Sequence, residues 1–383
     1  MPKPILCGRR PGVPALAAAA GLLLGLAPAA GATGFQRFSL STAGLGLANA
    51  MGADTENPSS MAYNPSALAF QEGTHFEAGF MRRYGQLENH SADTSPDTKF
   101  YTHDLYATYR GPASSWGAGL GVNRPFRMDS NWSGEFSSAN AATRSELDLI
   151  DVNPTLAYKL RPDVAVALGG DYYRALDFTY STVATPRHGS GDGWGGTAGI
   201  MFWREGWAIA ATYKTGADLD MDGKNLNGNR FRLPARARIG LKWRPSLRWS
   251  VHLDAVRTSW SQFKGLEDAP GAPGEPEKDW KDTVGYRLGA VARLSDKMAL
   301  RFGYSYDAGP KDNRTFDPRS ASGNRHMIAL GAGWEGDLLR FNLAYAYSIK
   351  AIKDVQGAAV PEYDGHNRTS AQFLMFSVGY SDW

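Results

Sequence analysis

Cysteine is nearly absent from this sequence, since the 383-residue chain contains only Cys7. That residue lies ahead of an apolar run near the amino terminus and is not placed as a lipoprotein cysteine. A remaining chain without cysteine is consistent with export through an oxidising periplasm. An excess of one charge is also lacking, with a formal net charge of +3. The composition therefore gives no electrostatic reason to expect a nucleic-acid partner.

Long hydrophobic runs are missing beyond residue 32. A transmembrane helix needs about 20 consecutive, mostly apolar residues, and no later segment approaches that. Any passage through a membrane must then use a closed barrel, because only helices and barrels pair every backbone polar group inside lipid. The 44 glycines and the 12% aromatic content suit strands, tight turns and aromatic girdles.

Histidine groupings that would indicate catalysis or a metal site are also lacking. His252 is the one histidine that strand periodicity places inside a barrel, and a hydrolase would need a serine and a third orienting group beside it. The remaining histidines show no metal-ligand spacing; they are His75, His90, His103, His188, His326 and His366. The sequence therefore predicts neither an enzyme nor a cofactor.

The first 32 residues have the pattern of a secretory signal peptide. Positive residues precede an apolar run at 13–26, and Ala30-Gly31-Ala32 is a cleavage motif that places the mature start at Thr33. The triplet at 27–29 is a second candidate site. Export of the mature chain is the expectation.

Beyond the leader, apolar and polar residues alternate along many short segments. In 235–243 the apolar set alternates with arginine, glycine and lysine, and the same period recurs at 249–255, 283–290, 300–307 and 341–348. A period of two is typical of strands with one apolar face. The pattern predicts fourteen amphipathic strands. Less regular strands are expected at about 74–84, 99–110, 114–124, 148–160 and 163–175.

The joints between these strands alternate between short and long. The short ones are 111–114, 160–163, 204–206, 244–246, 294–297 and 335–337. The long polar ones are 125–147, 177–194, 216–230, 259–281, 307–324 and 350–370. In a soluble barrel the apolar face would point inward, whereas in an outer-membrane barrel it faces lipid and one rim carries the longer loops. The leader and this parity favour an all-β, 14-stranded antiparallel transmembrane barrel over residues 74–383.

Residues 33–73 do not alternate and precede the first strand. The segment is rich in small residues and predicts a short helix with a few turns. Because a barrel of this size would otherwise enclose a channel, we expect this segment to lie inside the lumen as a plug, or hatch.

Several motifs follow one another along the chain: Gly34-Phe35-Gln36, STAGLGLA at 41–48, NPSSMAYNPSAL at 57–68, GLGVNRPF at 119–126, the stretch 233–266 with its Leu-Pro-Ala entry and Trp-Ser-x-Phe exit, 279–307, and Asn324-Arg325-His326. Together, in this order, they resemble the FadL-type family of outer-membrane transporters of hydrophobic compounds. The resemblance implies a plugged barrel that conducts hydrophobic molecules passively, with a lateral exit at a kink in the third strand. It also implies an N-terminal aromatic at Phe35 and hatch residues Leu45, Asn64 and Pro65. Phe35 could be a pocket wall or an anchor of the amino terminus, and the Asn-Pro pair is foremost a structural turn.

Strand parity places four arginines on the lumen face as candidate ligand-binding residues: Arg236, Arg238, Arg287 and Arg301. A ligand carboxylate would suit them, through charge-assisted hydrogen bonds. The favoured alternative is that they pair with acids such as Asp254, Asp54 or Glu56, since an unpaired buried charge is costly.

The predicted function is passive uptake of hydrophobic compounds across the bacterial outer membrane, with long-chain fatty acids favoured. Uptake of aromatic hydrocarbons by the same mechanism, a general porin, and an adhesin or structural barrel are the alternatives. The expected partners are a hydrophobic small molecule and outer-membrane lipid, and a plugged barrel of this kind is expected to act as a monomer.

Overall fold

The computed structural model describes residues 34–89, 97–263, 265–267, 280–319 and 323–382. The predicted leader and the terminal aromatic Trp383 lie outside these ranges. Within them, no helix is long and apolar enough to cross a membrane.

Strands make up most of the described chain. In order they are β1 Gly73–Glu88, β2 Asp97–Arg110, β3 Trp116–Asn123, β4 Arg127–Asn131, β5 Ala142–Arg161, β6 Val164–Thr182, β7 His188–Arg204, β8 Trp207–Lys214, β9 Ala217–Lys224, β10 Arg230–Leu233, β11 Arg236–Ser246, β12 Trp249–Thr258, β13 Leu266–Glu267, β14 Thr283–Arg293, β15 Met298–Asp307, β16 Arg325–Glu335, β17 Leu339–Val355 and β18 Gly365–Asp382. Helix α1 spans Thr42–Gly46, and 3-10 helices span Pro58–Ala62, Pro65–Phe70, Trp260–Gln262 and Pro361–Tyr363.

These strands form one closed antiparallel sheet. Strand β1 pairs with β2 on one side and with β18 on the other, which closes the ring. Four wall positions are each built from two consecutive segments: β3 with β4, β8 with β9, β10 with β11, and β12 with β13. The barrel therefore has fourteen wall positions, and the predicted fold class is confirmed.

Three of the expected outer loops are wrong, because much of each is strand. In the stretch 350–370, only 356–364 lies between β17 and β18. The stretch 177–194 lies largely in β6 and β7, with only 183–187 between them. The stretch 216–230 contains β9 and the first residue of β10. The polar residues of these stretches are typical of loops. A hairpin that extends beyond the bilayer needs no apolar outer face, so polar residues are compatible with strands there. The joint expected at 244–246 also lies in β11, and the chain turns just after it.

The outward faces are apolar and the inward faces largely polar. Along β17, for example, Phe341, Leu343 and Tyr345 are exposed, while Asn342 and Ala344 between them are buried. This is the distribution expected when the surroundings are lipid.

The amino-terminal segment 34–72 lies inside this ring. Almost all of its residues are buried, and its helices contact strands around the wall. Helix α1 packs against β15 to β18, whereas Pro65–Phe70 packs against β3, β5, β6 and β7. Glycines in the wall permit the close approach: a Cβ at Gly303 would lie 2.3 Å from the backbone nitrogen of Ala48.

Candidate functional site

An aromatic cage surrounds Phe35 in the outer half of the barrel. Its ring centroid lies 5.0–6.2 Å from five other rings. Those rings belong to Phe126, Phe231, Trp260, Phe263 and Trp280. Side chains from β5, β6 and β9 extend the apolar cluster around them, including Leu147, Phe178 and Leu219. The cage is therefore a hydrophobic pocket that the chain's own Phe35 fills.

The cage contains two polar atoms without a partner. The indole nitrogens of Trp260 and Trp280 are buried and make no hydrogen bond to any described residue. A buried donor without an acceptor is costly. An entering molecule with an acceptor oxygen would therefore gain by binding here.

The wall beside the cage is interrupted at its third position. Strand β3 pairs with β2 only between Leu105 and Tyr109, and β4 pairs with β5. Within the described residues, the outer half of β2, from Asp97 to Asp104, thus has no strand partner on this side. We call this opening between β2 and β4 the wall gap.

The N-terminal segment, residues 34–38, closes the wall gap from inside. Gln36 forms an isolated antiparallel bridge with Phe126. The amide of Arg37 donates to the carbonyl of Pro125 at 2.9 Å, and the amide of Arg127 donates to the carbonyl of Phe35 at 3.0 Å. Backbone groups at the strand break are thereby satisfied by the amino terminus rather than by a neighbouring strand.

A buried ion pair joins the same segment to the other side of the gap. The guanidinium of Arg37 donates to both carboxylate oxygens of Asp104, at 2.6 and 2.5 Å. Both side chains are fully buried. The N-terminal segment therefore bridges β2 and β4 across the gap.

A basic cavity of about 50 Å³ lies beneath the cage, and we call it the Arg236 cavity. Its lining includes Arg37, Tyr63, Lys214, Arg236, Arg238, Arg287 and Arg325. The structure thus brings three of the four predicted arginines to one cavity. A second cavity, of about 60 Å³, lies across the N-terminal segment and includes Arg83, Phe100 and Arg127.

Arg236 differs from the other cations of its cavity. Arg238 pairs with Asp254, Arg287 and Arg325 share Asp307 at 2.5 and 3.2 Å, and Lys214 holds two aspartates at 2.7 Å. The guanidinium of Arg236 lies over the Phe126 ring, 5.4 Å from its centroid. It makes no ion pair or hydrogen bond with a described residue. Among the cations that line this cavity, it is the one without an acidic partner in the described residues.

Arg301 lies apart from these residues. It donates to Asn342 at 3.0 Å and lines a cavity at the periplasmic end, with Arg293, Lys297 and Glu335. Strand parity placed Arg301 correctly inside the barrel. It lies nearer the periplasmic end than the cage does, so the two are separate.

The predicted hatch residues have packing and capping contacts. Leu45 is fully buried in a cluster with Phe38 and Met81. Asn64 caps the following 3-10 helix by accepting the amide of Ser66 at 3.0 Å. A Cβ at Gly199 would lie 2.5 Å from the Asn64 side-chain oxygen and 3.1 Å from the Pro65 ring, so the pair is seated directly on β7.

The periplasmic end of the inner segment is held by charge. Glu56 forms ion pairs with Lys242, Arg244 and Arg293, at 2.7, 3.1 and 2.5 Å. Lys242 also pairs with Asp54 at 3.0 Å. The segment is thus attached to two separate parts of the wall at this end.

The outer mouth is covered by a loop that we call the crossing loop, residues 308–319 between β15 and β16. Arg319 donates to the carbonyl of Ser181 at 3.0 Å, and Ser130 donates to the carbonyl of Arg319 at 3.3 Å. Both serines lie on distant wall positions, so the loop spans the mouth.

A second contact joins the loop between β4 and β5 to the loop between β17 and β18. Glu362 accepts hydrogen bonds from Ser137 and Ser138. Desolvation raises the pKa of the Glu362 carboxyl, but these hydrogen bonds outweigh it and lower the pKa to about 2. The carboxylate therefore stays charged, and the contact stays formed, throughout the physiological range.

Sequence reasoning missed most of the cage. Phe126, Trp260 and Phe263 stood within stretches that resemble the transporter family, but nothing local indicated that they meet around Phe35. The Arg37–Asp104 pair had no sequence signal at all, because its members are 67 residues apart.

Comparison with known proteins agrees with this architecture. The sequence matches the family model described as outer membrane protein transport protein (OMPP1/FadL/TodX) over residues 23–179 and 182–381. A long-chain fatty acid transport protein of Escherichia coli O6:H1 is 24% identical over 340 residues, which cover 79% of this chain and 72% of that protein.

Two solved structures share the fold. A Pseudomonas aeruginosa FadL homologue superposes with a TM-score of 0.76 at 17% identity, covering 91% of this chain and all of that one. The Ralstonia pickettii toluene transporter TbuX superposes with a TM-score of 0.65 at 16% identity, covering 90% and 99%.

Proposed function

This chain belongs to the outer membrane protein transport protein family (OMPP1/FadL/TodX), and we propose that it carries long-chain fatty acids passively across the bacterial outer membrane. The protein is an outer-membrane β-barrel of a transport family. The fatty-acid substrate, the route and the residues below are the proposal.

The observation that carries the proposal is the occupied aromatic cage. The two adjoining cavities hold about 50 and 60 Å³, which is too little for a long hydrocarbon chain. A solute therefore binds by replacing Phe35 among the five rings. Its apolar surface takes over the contacts that Phe35 makes, so the exchange costs little.

Withdrawal of Phe35 couples binding to an exit. Phe35 is continuous with Gln36 and Arg37, which close the wall gap through the bridge to Phe126 and the pair with Asp104. A solute that displaces Phe35 loosens this closure and can leave sideways into the bilayer. Downstream consumption of the solute keeps the gradient, so no energy source is needed.

Arg236 gives the preference for a fatty acid. It borders the cage at Phe126 and lacks an acidic partner among the described residues, so a carboxylate there would form charge-assisted hydrogen bonds. The indole nitrogens of Trp260 and Trp280 supply further donors. Arg238 and Arg287 support the site indirectly, by their pairing with Asp254 and Asp307.

Aromatic hydrocarbons are the second candidate, because a neutral ring would also fit a cage of five aromatic side chains. In either case a monomer suffices. The closed ring of strands leaves no open sheet edge to pair with another copy.

The test is uptake of labelled oleate and labelled toluene by cells that lack their own transporter, with and without this protein. We expect Arg236→Gln to lower oleate uptake about tenfold, since a charge-assisted hydrogen bond is worth roughly 1.5–3 kcal/mol. Arg174→Gln is the control, because Arg174 lies on the outer surface and pairs with Asp192. Toluene uptake alone, unaffected by Arg236→Gln, would move the substrate to aromatic hydrocarbons. No gain for either solute would overturn the function.

A further inference from the structure

A lipid-facing groove adjoins the wall gap on the outside of the barrel. It holds about 450 Å³ and is lined by side chains of β1, β2, β3, β17 and β18. Its floor is formed by Ala78 and Ala107, whose side chains are a single carbon. Taller side chains flank them, including Phe76, Leu105 and Leu120.

The register of the strands explains the groove. Ala78 lies opposite Leu105, and Phe76 lies opposite Ala107. Small and large residues thus alternate diagonally across β1 and β2, and the trough follows the small ones. Phe76 and Leu105 are 51% and 52% exposed, so this face is open to the membrane rather than packed.

The groove begins where the wall gap ends. Leu105 and Val122 line it and form the last pair of β2 and β3 before the gap. At its other end it reaches Leu339 and Tyr380, close to the periplasmic ends of β17 and β18. It therefore runs from mid-membrane towards the inner leaflet.

We propose that this groove is an exit site, which receives the hydrocarbon tail of the solute as it leaves through the wall gap. The inference rests on the proposed function and adds a binding site outside the barrel. The lining is almost entirely apolar, so it suits a hydrocarbon chain and offers nothing to a headgroup. Its continuity with the gap favours the departing solute over a resident membrane lipid as the occupant.

The site has a physical role at the point of release. Backbone groups of the outer half of β2 lack a strand partner at the gap, and a solute crossing their edge meets polar groups inside lipid. An adjoining apolar trough lets the tail bury its surface before the rest of the molecule has left. The solute is then released in steps, and the free-energy barrier to its release is lower.

Filling the groove tests the inference. Ala107→Trp places an indole on the floor, and we expect oleate uptake to fall several-fold while oleate binding to the purified protein is unchanged. Ala332→Trp is the matched control. Ala332 is also an exposed alanine on the lipid face, equally far from the periplasmic end of its strand. Ala78→Trp replaces Ala107→Trp if the latter fails to show the heat-modifiable mobility of a folded barrel.

A photocrosslinking arm identifies the occupant in the unaltered protein. Oleate with a diazirine at its terminal carbon should label the peptide 105–122, and Ala107→Trp should abolish the labelling. Labelling only by a phospholipid with the same diazirine would overturn the exit site and leave a lipid-binding groove. Equal uptake by wild type and Ala107→Trp would overturn it while transport stands. No uptake by wild type would overturn the proposed function as well.

Discussion

At the scale of single residues, Phe35 lies among five aromatic rings, which hold the amino terminus in place. Its role towards an apolar solute stays a prediction. Gly34 allows this packing of Phe35, with a backbone φ of +57° and no room for a side chain: a Cβ there would lie 2.7 Å from Trp260 and 2.9 Å from Trp280.

Phe35→Ala should therefore strengthen ligand binding. Loss of the ring removes a competitor from the cage, and a buried Phe→Ala change costs about 3–5 kcal/mol of packing. We expect the purified protein to bind labelled oleate on the order of tenfold more tightly. The reason is that part of the lost packing energy destabilises only the ligand-free state, in which Phe35 fills the cage. Phe80→Ala, which removes a ring from the lipid face next to Tyr101, should leave the affinity unchanged. Weaker binding by Phe35→Ala would mean that Phe35 contributes to the ligand-bound pocket.

At the scale of elements, the N-terminal segment substitutes for a missing stretch of wall. A strand edge inside a membrane must be paired or covered, and residues 35–37 cover this one at the break after β3. The Arg37–Asp104 pair secures the cover on the side where backbone pairing is absent. The wall gap is thus closed by the amino-terminal segment and not by a strand of the barrel.

Asp104→Asn should open the gap more often. The substitution leaves the fully buried guanidinium of Arg37 without its charge partner, and breaking such a pair costs about 3–5 kcal/mol. We expect faster proteolysis of the amino terminus in the purified protein and a higher leak of small apolar dyes into cells. The exchanged pair, Arg37→Asp with Asp104→Arg, should restore part of the closure. Unchanged proteolysis in Asp104→Asn would show that the backbone bridge alone holds the segment.

At the scale of the whole molecule, the lumen is obstructed at several levels. The crossing loop spans the outer mouth, the cage and N-terminal segment fill the middle, and the Glu56 network fixes the periplasmic end. The two cavities beside the N-terminal segment hold only about 50 and 60 Å³. Within the described residues, side chains and loops thus obstruct the lumen from the outer mouth to the periplasmic end.

Conductance in planar bilayers should reflect this. We expect wild-type protein to give at most brief, small openings. Glu56→Gln should make them more frequent, because Arg244 and Arg293 lose their carboxylate partner and Lys242 keeps only Asp54. Glu205→Gln, in an exposed periplasmic turn, is the control. A large and steady conductance from the wild type would identify an open porin instead.

Much of the fold could be predicted because lipid imposes a simple rule on each strand. Outward residues must be apolar and inward ones need not be, so alternation is visible along segments such as 341–348. The hairpin extensions at 177–194 and 216–230 escaped this rule, since their outer faces lie beyond the bilayer. Ion pairs between neighbouring strands were also within reach: Asp254 was expected as a partner of lumen arginines, and Arg238 meets it across β11 and β12.

The sequence by itself determined a closed barrel of fourteen strands, an amino-terminal segment distinct from them, and a lumen rich in arginine. These properties depend on period, length and composition, which are local. Only the tertiary structure decided which of the predicted arginines pair with acids among the described residues, which rings meet around Phe35, and how Arg37 reaches Asp104. These contacts depend on the depth and register of elements that are far apart in the chain. Buried charges pair and aromatic rings pack according to distances in the folded structure, and no local sequence pattern contains those distances.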